Sequence, residues 1–343
     1  MTQNLLADIA AHLVAGGRGI LAMDESNATC NKRLAHYGVA QTVEKRRQWR
    51  ELLITTPDLA SCISGVILYD ETMHQADDRG VRFIELLTKA GIRIGIKVDT
   101  GATPMALHRG ETLTQGLDGL RERLVAYATL GATFAKWRAV ISLGSGLPTR
   151  ACIEANAEVL AQYALCCQEC CIVPIIEPEI SMAGDHTLGQ CRAVTSEVLH
   201  TVFAQLYRQG VMLNGIVLKP NMVVPGLACP HQETVEVIAE ETLNVLQNVV
   251  PAAVPGIAFL SGGQSGELAT ARLNQMNRLS RTKRYPWSLA FSFARALQTP
   301  ALDIWRGETW NSKSAQQALF LRANCNRVAL TGEYSPAMEV RHL

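Results

Sequence analysis

The residue with the clearest chemical meaning is Lys219, which ends the apolar run Gly-Ile-Val-Leu in GIVLKPNM. An amine at the end of a buried strand is partly desolvated, and desolvation disfavours the ammonium form. A neutral amine attacks carbonyl carbon, which is the chemistry of a Schiff-base enzyme. The chain has eight lysines against 24 arginines, and three of the eight lie in apolar settings: Lys97 in IGIKVD, Lys136 in TFAKWR, and Lys219. Lysine used this sparingly and placed repeatedly at strand ends points to chemistry.

Carboxylates accompany these amines. Asp24 and Glu25 follow GILAM, Asp70 and Glu71 follow GVILY, and Glu177 and Glu179 follow IVPII. In an extended strand alternate residues share a face, so Lys136 and Arg138 point the same way, as do Glu177 and Glu179. A carboxylate beside two ammonium groups stays ionised, and with a nucleophilic amine it can exchange protons. Any single charge at a strand end is ordinarily just solvated. Charges at the ends of nearly all the strands, converging on one mouth, form a Schiff-base constellation.

The elements that must position these groups recur eight times. Apolar runs rich in β-branched residues occupy Gly19–Met23, Cys62–Tyr69, Ile92–Val98, Thr133–Val140, Ile172–Ile176, Gly215–Leu218, Gly256–Leu260 and Leu289–Phe293. Such runs suit strands buried on both faces of a parallel sheet. Helical periodicity fills the intervals, for example over 43–56, 117–131, 152–168, 195–210, 234–250 and 267–280. The expected fold is α/β, a (β/α)8 TIM barrel with an extra N-terminal helix and, from about residue 311, a C-terminal helix plus tail. A doubly wound open sheet would need fewer strands and a Gly-rich turn after the first, where this chain has MDES. No Ser/Gly/Pro-rich tract divides the chain, so residues 1–343 are expected to form one domain.

In a barrel the loops after strands seven and eight commonly take phosphate. Ser261-Gly262-Gly263 follows the seventh run, Ser292 lies in the eighth, and Arg295 offers a bidentate donor just beyond it. A second group (Thr29, Lys32, Arg33 and Lys97, with Arg138) suggests a second anion position across the mouth. Two phosphate positions flanking one amine predict a linear bisphosphate with its reactive carbonyl between them.

Bulk properties narrow the partners. A net charge of +1 leaves no electrostatic footprint for nucleic acid. No apolar stretch reaches the about 18 residues of a membrane span. The N-terminal segment lacks the basic start and cleavage site of a signal peptide, so a cytoplasmic protein is expected. The ten cysteines then read as reduced thiols, including the run Cys166-Cys167 and Cys170-Cys171, whose spacing fans the sulfurs over two helix faces. The eight histidines (His12, His36, His74, His108, His186, His200, His231, His342) show no pair at ligand spacing, and no metal or other cofactor is expected.

Taken together, GILAMDES, GVILYDET, GIKVD, ETLTQGLDGL, FAKWR, IVPIIEPEI, GDHTLGQC, VLKPNMV, FLSGGQSGE and FSFARALQ resemble class I fructose-1,6-bisphosphate aldolases across nearly the whole chain. The resemblance implies metal-independent, reversible cleavage of fructose 1,6-bisphosphate to dihydroxyacetone phosphate and glyceraldehyde 3-phosphate. In that case Lys219 forms the imine, and Glu177 is the acid and base for making and breaking it. Lys136 assists carbinolamine dehydration electrostatically, Asp24 supports proton movement at carbon–carbon cleavage, and Glu179 tunes the lysines. Ser261, Gly262, Gly263, Ser292 and Arg295 match the site for the phosphate beside the carbonyl. Lys97, Arg138, Ser26, Thr29, Arg33 and Arg46 match the distal side. The resemblance also implies a homo-oligomer, a tetramer or dimer, binding only sugar bisphosphates and triose phosphates.

Three departures from the family pattern stand out. Animal-type members end in a tyrosine that serves proton transfer, whereas Tyr334 is the last tyrosine before Val340-Arg341-His342-Leu343, so proton transfer at the enamine carbon is expected to be slower or to use another group. Asn27-Ala28-Thr29 replaces the usual small residues after the first strand, and Ala294 stands where glycine is usual. Sedoheptulose 1,7-bisphosphate is an alternative substrate. A non-catalytic sugar-phosphate-binding scaffold and a Schiff-base enzyme for monophosphates are more distant readings.

Overall fold

The alternating apolar runs close on themselves. The computed structural model describes residues 2–340, in which eight parallel strands form a barrel. They are Gly19–Ala22, Ile63–Leu68, Arg93–Lys97, Ala132–Ile141, Val173–Ile180, Val217–Leu218, Gly256–Phe259 and Ser288–Phe293. Each lies beside its sequence neighbours, and the first pairs with both the second and the eighth. Each of the eight expected runs overlaps a barrel strand. The fifth extends past the expected boundary to Ile180 and carries Glu177 and Glu179 within it, opposite Arg138 and Val140 of the fourth strand.

Period-two alternation sorts the barrel interior into a dry floor and a charged mouth. On the fourth strand Phe134, Lys136 and Arg138 share one face, and on the fifth Val173, Ile175, Glu177 and Glu179 do. The lower members join Ile20, Ala22, Ile67, Val217, Ala258 and Ala290 in an apolar cluster. The expected N-terminal helix, Thr2–Val14, closes this floor from below with Leu6, Ile9, Ala10, Leu13 and Val14. The outer faces of the strands pack on the surrounding helices in a second, larger cluster.

Phe134 fills the floor only because its neighbours have no side chain. A Cβ added at Gly95 would lie 2.1 Å from the Phe134 ring, and one at Gly65 would lie 3.0 Å from it. A Gly95→Ala change is therefore expected to destabilise the protein by about 1–3 kcal/mol through overpacking. Equilibrium denaturation tests this, and a variant as stable as the unaltered chain would contradict the packing.

Helix starts follow from side-chain oxygens. Ser26, Thr42, Thr149, Thr187, Thr234 and Ser265 each accept a hydrogen bond from a backbone N–H in the first turn, and Thr187 and Gln190 complete a reciprocal capping box. The helix expected from residue 195 begins at Leu188, two turns earlier, because this cap lies there. The C-terminal helix spans Ser312–Ala329. One element was not anticipated: an antiparallel hairpin, Gly101–Pro104 with Thr112–Gln115, follows the third strand and borders the mouth. Of the C-terminal tail, Arg341, His342 and Leu343 lie outside the described residues.

Candidate active site

The mouth is a cleft of about 900 Å³, lined by residues from the carboxyl ends of the strands and the loops that follow. Asp24, Lys136, Glu177 and Lys219 meet at its base, all buried. Lys136 Nζ lies 2.7 Å from Asp24 Oδ2 and 3.2 Å from Glu177 Oε2. Lys219 Nζ lies 3.1 Å from Glu177 Oε1. The result is a chain of alternating charges, Asp24–Lys136–Glu177–Lys219, with no net charge.

Burial and partners compete at each group. Burial would raise the Asp24 carboxyl, but Lys136, Lys219 and more distantly Lys97 bring it down to about 2. Burial would likewise raise Glu177, and Lys136, Lys219 and Arg138 together hold it below the usual carboxylate range. Burial would lower Lys136, yet Asp24 and Glu177 push it well above the ordinary lysine value. Lys136 is thus a fixed cation, with Asp24 as the anion that holds it charged. The partners decide the outcome in all three cases.

A pH dependence of stability follows for Asp24. Its folded-state value lies below the unfolded one, so its contribution is complete above about pH 4 and is lost as pH falls through 2. The magnitude is on the order of 2 kcal/mol. In Asp24→Asn the unfolding free energy should fall less steeply between pH 4 and 2 than in the unaltered chain. Equal slopes would contradict the assignment.

Around the base, the expected anion-binding groups divide into those on the cleft and those spent elsewhere. Ser26, Thr29, Lys32, Arg33, Lys97 and Arg138 line one side. Ser261, Gly262, Ser292, Ala294 and Arg295 line the other. Gly263 is just behind, where an added Cβ would sit 3.5 Å from Arg295 Nη2. Gly262 and Gly263 both have positive φ, 60° and 100°, which bends the loop after the seventh strand and requires glycine. The Ser292 hydroxyl is buried without a partner inside the protein.

Two expectations need correction. Arg46 does not reach the cleft, because its guanidinium makes a bidentate pair with Glu71 at 2.8 and 2.6 Å and also donates to Asn31 at 2.9 Å. Glu179 does not touch the lysines. It accepts two hydrogen bonds from Arg138, at 2.7 and 2.9 Å, so its direct partner is the arginine. Asp70 and Glu71, expected at the mouth, are also drawn off, Asp70 to the Tyr127 hydroxyl at 2.8 Å and Glu71 to Arg46.

Several supporting contacts were not anticipated from the sequence. Asp99 fixes Lys97 at 2.6 Å. Gln298, fully buried, donates to Ala22 O at 2.6 Å and accepts from Arg33 at 2.8 Å. Under the glycine loop, Gln264 donates to Ser261 O at 3.0 Å and accepts from the buried Arg272 at 2.7 Å. Arg33 and Arg50 both pair with Glu25, which packs this ionic layer behind the first strand. Their signal would have been polar residues at core-facing helix positions, a pattern that becomes specific only once the helices are docked.

Comparison with known proteins decides the family. The family model described as fructose-bisphosphate aldolase class-I matches residues 5–342. This chain belongs to the class I fructose-bisphosphate aldolase family. It is 49% identical over 335 residues to the probable fructose-bisphosphate aldolase class 1 of Xanthomonas campestris pv. campestris, covering 97% of this chain and 99% of that one. Against fructose-bisphosphate aldolase C of Homo sapiens the identity is 48%, with 97% and 92% covered. A solved fructose-bisphosphate aldolase from Plasmodium falciparum, in complex with TRAP and a small-molecule inhibitor, superimposes with a TM-score of 0.95 at 43% identity, covering 97% of this chain and 96% of that one. The barrel is thus the aldolase fold. The chain is an enzyme, a carbon–carbon lyase of the class I type, which cleaves fructose 1,6-bisphosphate reversibly through a lysine Schiff base.

Among the described residues no three His, Cys, Asp or Glu side chains gather as a metal-binding group. Within CCQECC, Cys167 is buried, Cys171 is exposed and the other two are half-buried. Burial pushes the Cys167 thiol well up and raises Cys166 and Cys170, which makes all three poor nucleophiles.

Proposed function

We propose that the four-group chain at the base of the cleft divides the aldolase reaction among Lys219, Glu177, Lys136 and Asp24. The supporting observation is their contact series, 2.7, 3.2 and 3.1 Å, in a buried site. Glu177 takes a proton from Lys219, and the freed amine adds to the C2 carbonyl of the ketose. Glu177 then returns a proton to the departing hydroxyl, and the charged Lys136 stabilises the negative charge that develops there. The resulting iminium accepts the electron pair of the C3–C4 bond, giving an enamine and the aldehyde. Asp24, ionised and tied to Lys136, supports removal of the C4 hydroxyl proton. The enamine then takes a proton at C3 from solvent, which restores the iminium, and water hydrolyses this to release the ketone and the free amine with Glu177 acting in reverse.

The two flanks take the phosphates. Backbone N–H groups of the Ser261–Gly263 turn, the unpartnered Ser292 hydroxyl and Arg295 suit the phosphate next to the carbonyl. Lys97, Arg138, Ser26, Thr29 and Arg33 suit the distal one, with Glu179 holding the Arg138 guanidinium in place. Arg46 belongs to the ionic layer behind this side. The whole chain acts as one catalytic domain with its C-terminal helix and tail. The family resemblance further supports a cytoplasmic homo-oligomer acting in sugar-phosphate metabolism. No helix among the described residues is long and apolar enough to cross a membrane.

Comparing a bisphosphate with a monophosphate tests the flanks. Arg138→Gln is expected to lower kcat/KM for fructose 1,6-bisphosphate by about 10- to 100-fold, the worth of a charged hydrogen bond. Turnover of fructose 1-phosphate, which has no distal phosphate, should change by less than about threefold. An equal loss on both substrates would remove Arg138 from the distal site.

A further inference from the structure

At the opposite end of the barrel a second cleft, of about 290 Å³, opens between the N-terminal helix and the turns that enter the third and fourth strands. His12, Thr88, Arg93 and Thr133 form its polar wall, and Gly91 and Gly131 lie at its turns. Arg18, just before the first strand, reaches to within 3.3 Å of the His12 ring through Nη2. Arg93 belongs to the inward face of the third strand, two and four residues below Gly95 and Lys97. Its Nε is buried with no hydrogen-bond partner.

Two arginines and a histidine meet here without a counter-charge. Arg33, Arg46, Arg50 and Arg322 are each ion-paired with glutamate, while the buried Arg272, also without an ion pair, stands alone and donates to Gln264. Among the described residues neither Arg18 nor Arg93 makes an ion pair. Burial and then Arg18 push the Arg93 guanidinium down, and burial, Arg93 and Arg18 push the His12 imidazole down. Asp8, one turn earlier on the same helix, does not offset them. His12 and Arg93 thus line one concave space, with Arg18 against the His12 ring and no acid paired with either arginine. All three are half-buried, and an oxyanion in the cleft would supply the missing counter-charge.

We propose that this basal cleft is a second anion site, separate from the catalytic mouth, which takes a small free oxyanion of the phosphate class on Arg18, Arg93 and the His12 ring. Arg93 supplies the bidentate fork, Arg18 a second cation, and Thr133 a hydroxyl at the edge. Because His12 comes from the N-terminal helix and Arg93 from the third strand, the bound anion clamps the helix that closes the barrel floor to the barrel wall.

Equilibrium dialysis with radiolabelled inorganic phosphate tests this on the full chain and on the Arg18→Gln/Arg93→Gln double variant. The catalytic cleft is common to both proteins, so a difference in binding reports the basal site alone. The unaltered chain is expected to bind one phosphate more per chain, or to bind it at least about tenfold more tightly, with the kcat of both proteins alike. Equal number and affinity would overturn the proposal. Crystals of the unaltered chain soaked in tungstate accompany the binding measurement and stand in for it should the double variant fail to fold. An anomalous peak within hydrogen-bond reach of Arg93 and Arg18 supports the site, and peaks only in the catalytic cleft overturn it. A basal tungstate peak without any difference in phosphate binding to a folded variant means an adventitious ion only, and likewise overturns it.

Discussion

Lys219→Met is expected to lower kcat for fructose 1,6-bisphosphate cleavage by at least about four orders of magnitude, because it removes the only atom that can join the substrate carbonyl as an imine. Methionine keeps the unbranched length of lysine and fits a site where Lys219 is buried. The phosphate-binding flanks are untouched, so substrate binding should survive the loss of turnover, and calorimetry on the variant should find a dissociation constant near that of the unaltered chain. Removing the Lys219 ammonium also leaves Glu177 with Lys136 as its one contacting cation, and its carboxyl should titrate higher. A variant retaining more than about one-hundredth of the activity would show that another amine can serve. Lys136, 3.2 Å from the same carboxylate, would be the first suspect.

Glu177→Gln has the next largest expected effect. Glutamine keeps the shape of the carboxylate but can neither take the Lys219 proton nor return one to the leaving hydroxyl. General acid–base catalysis contributes about 10²- to 10⁴-fold, so a loss of that order in kcat is expected with KM little changed. The loss should fall on imine formation, seen as slow trapping of the covalent adduct in a single turnover. The change also leaves two buried ammonium groups facing Asp24 alone, so stability should fall as well, most at low salt. Unchanged trapping kinetics alongside a low kcat would move Glu177 to a later step.

The contrast between these two residues and Arg46 shows what the sequence could reveal. Lys136, Glu177 and Lys219 were legible because a charge at a fixed period along a buried strand has only one place to go, the mouth of the barrel. The same logic located Asp24 and Lys97. Arg46 and Glu71 lie on helices that follow strands, where the direction of a side chain depends on how the helix docks, and docking turned the two toward each other. Glu179 was correctly placed at the mouth, but its partner was not, because register alone sets it opposite Val140 and next to Arg138 rather than a lysine.

The fold was legible for a similar reason. Eight apolar runs spaced by amphipathic helices leave little choice but a closed parallel barrel. The hairpin over 101–115 was missed because its two strands are short, mixed in polarity and largely exposed or half-buried, with no apolar alternation to mark them. Gln264, Gln298 and Arg272 carry no strand-like signal either, and their burial appears only when the last helices close over the loops after the seventh and eighth strands.

Borohydride reduction in the presence of dihydroxyacetone phosphate and a chelator, followed by peptide mass spectrometry, tests the central claim most directly. The imine mechanism predicts one reduced adduct, on Lys219, formed without metal and much more slowly in Glu177→Gln. A folded protein with no adduct on Lys219, or with the adduct on Lys136, would contradict it.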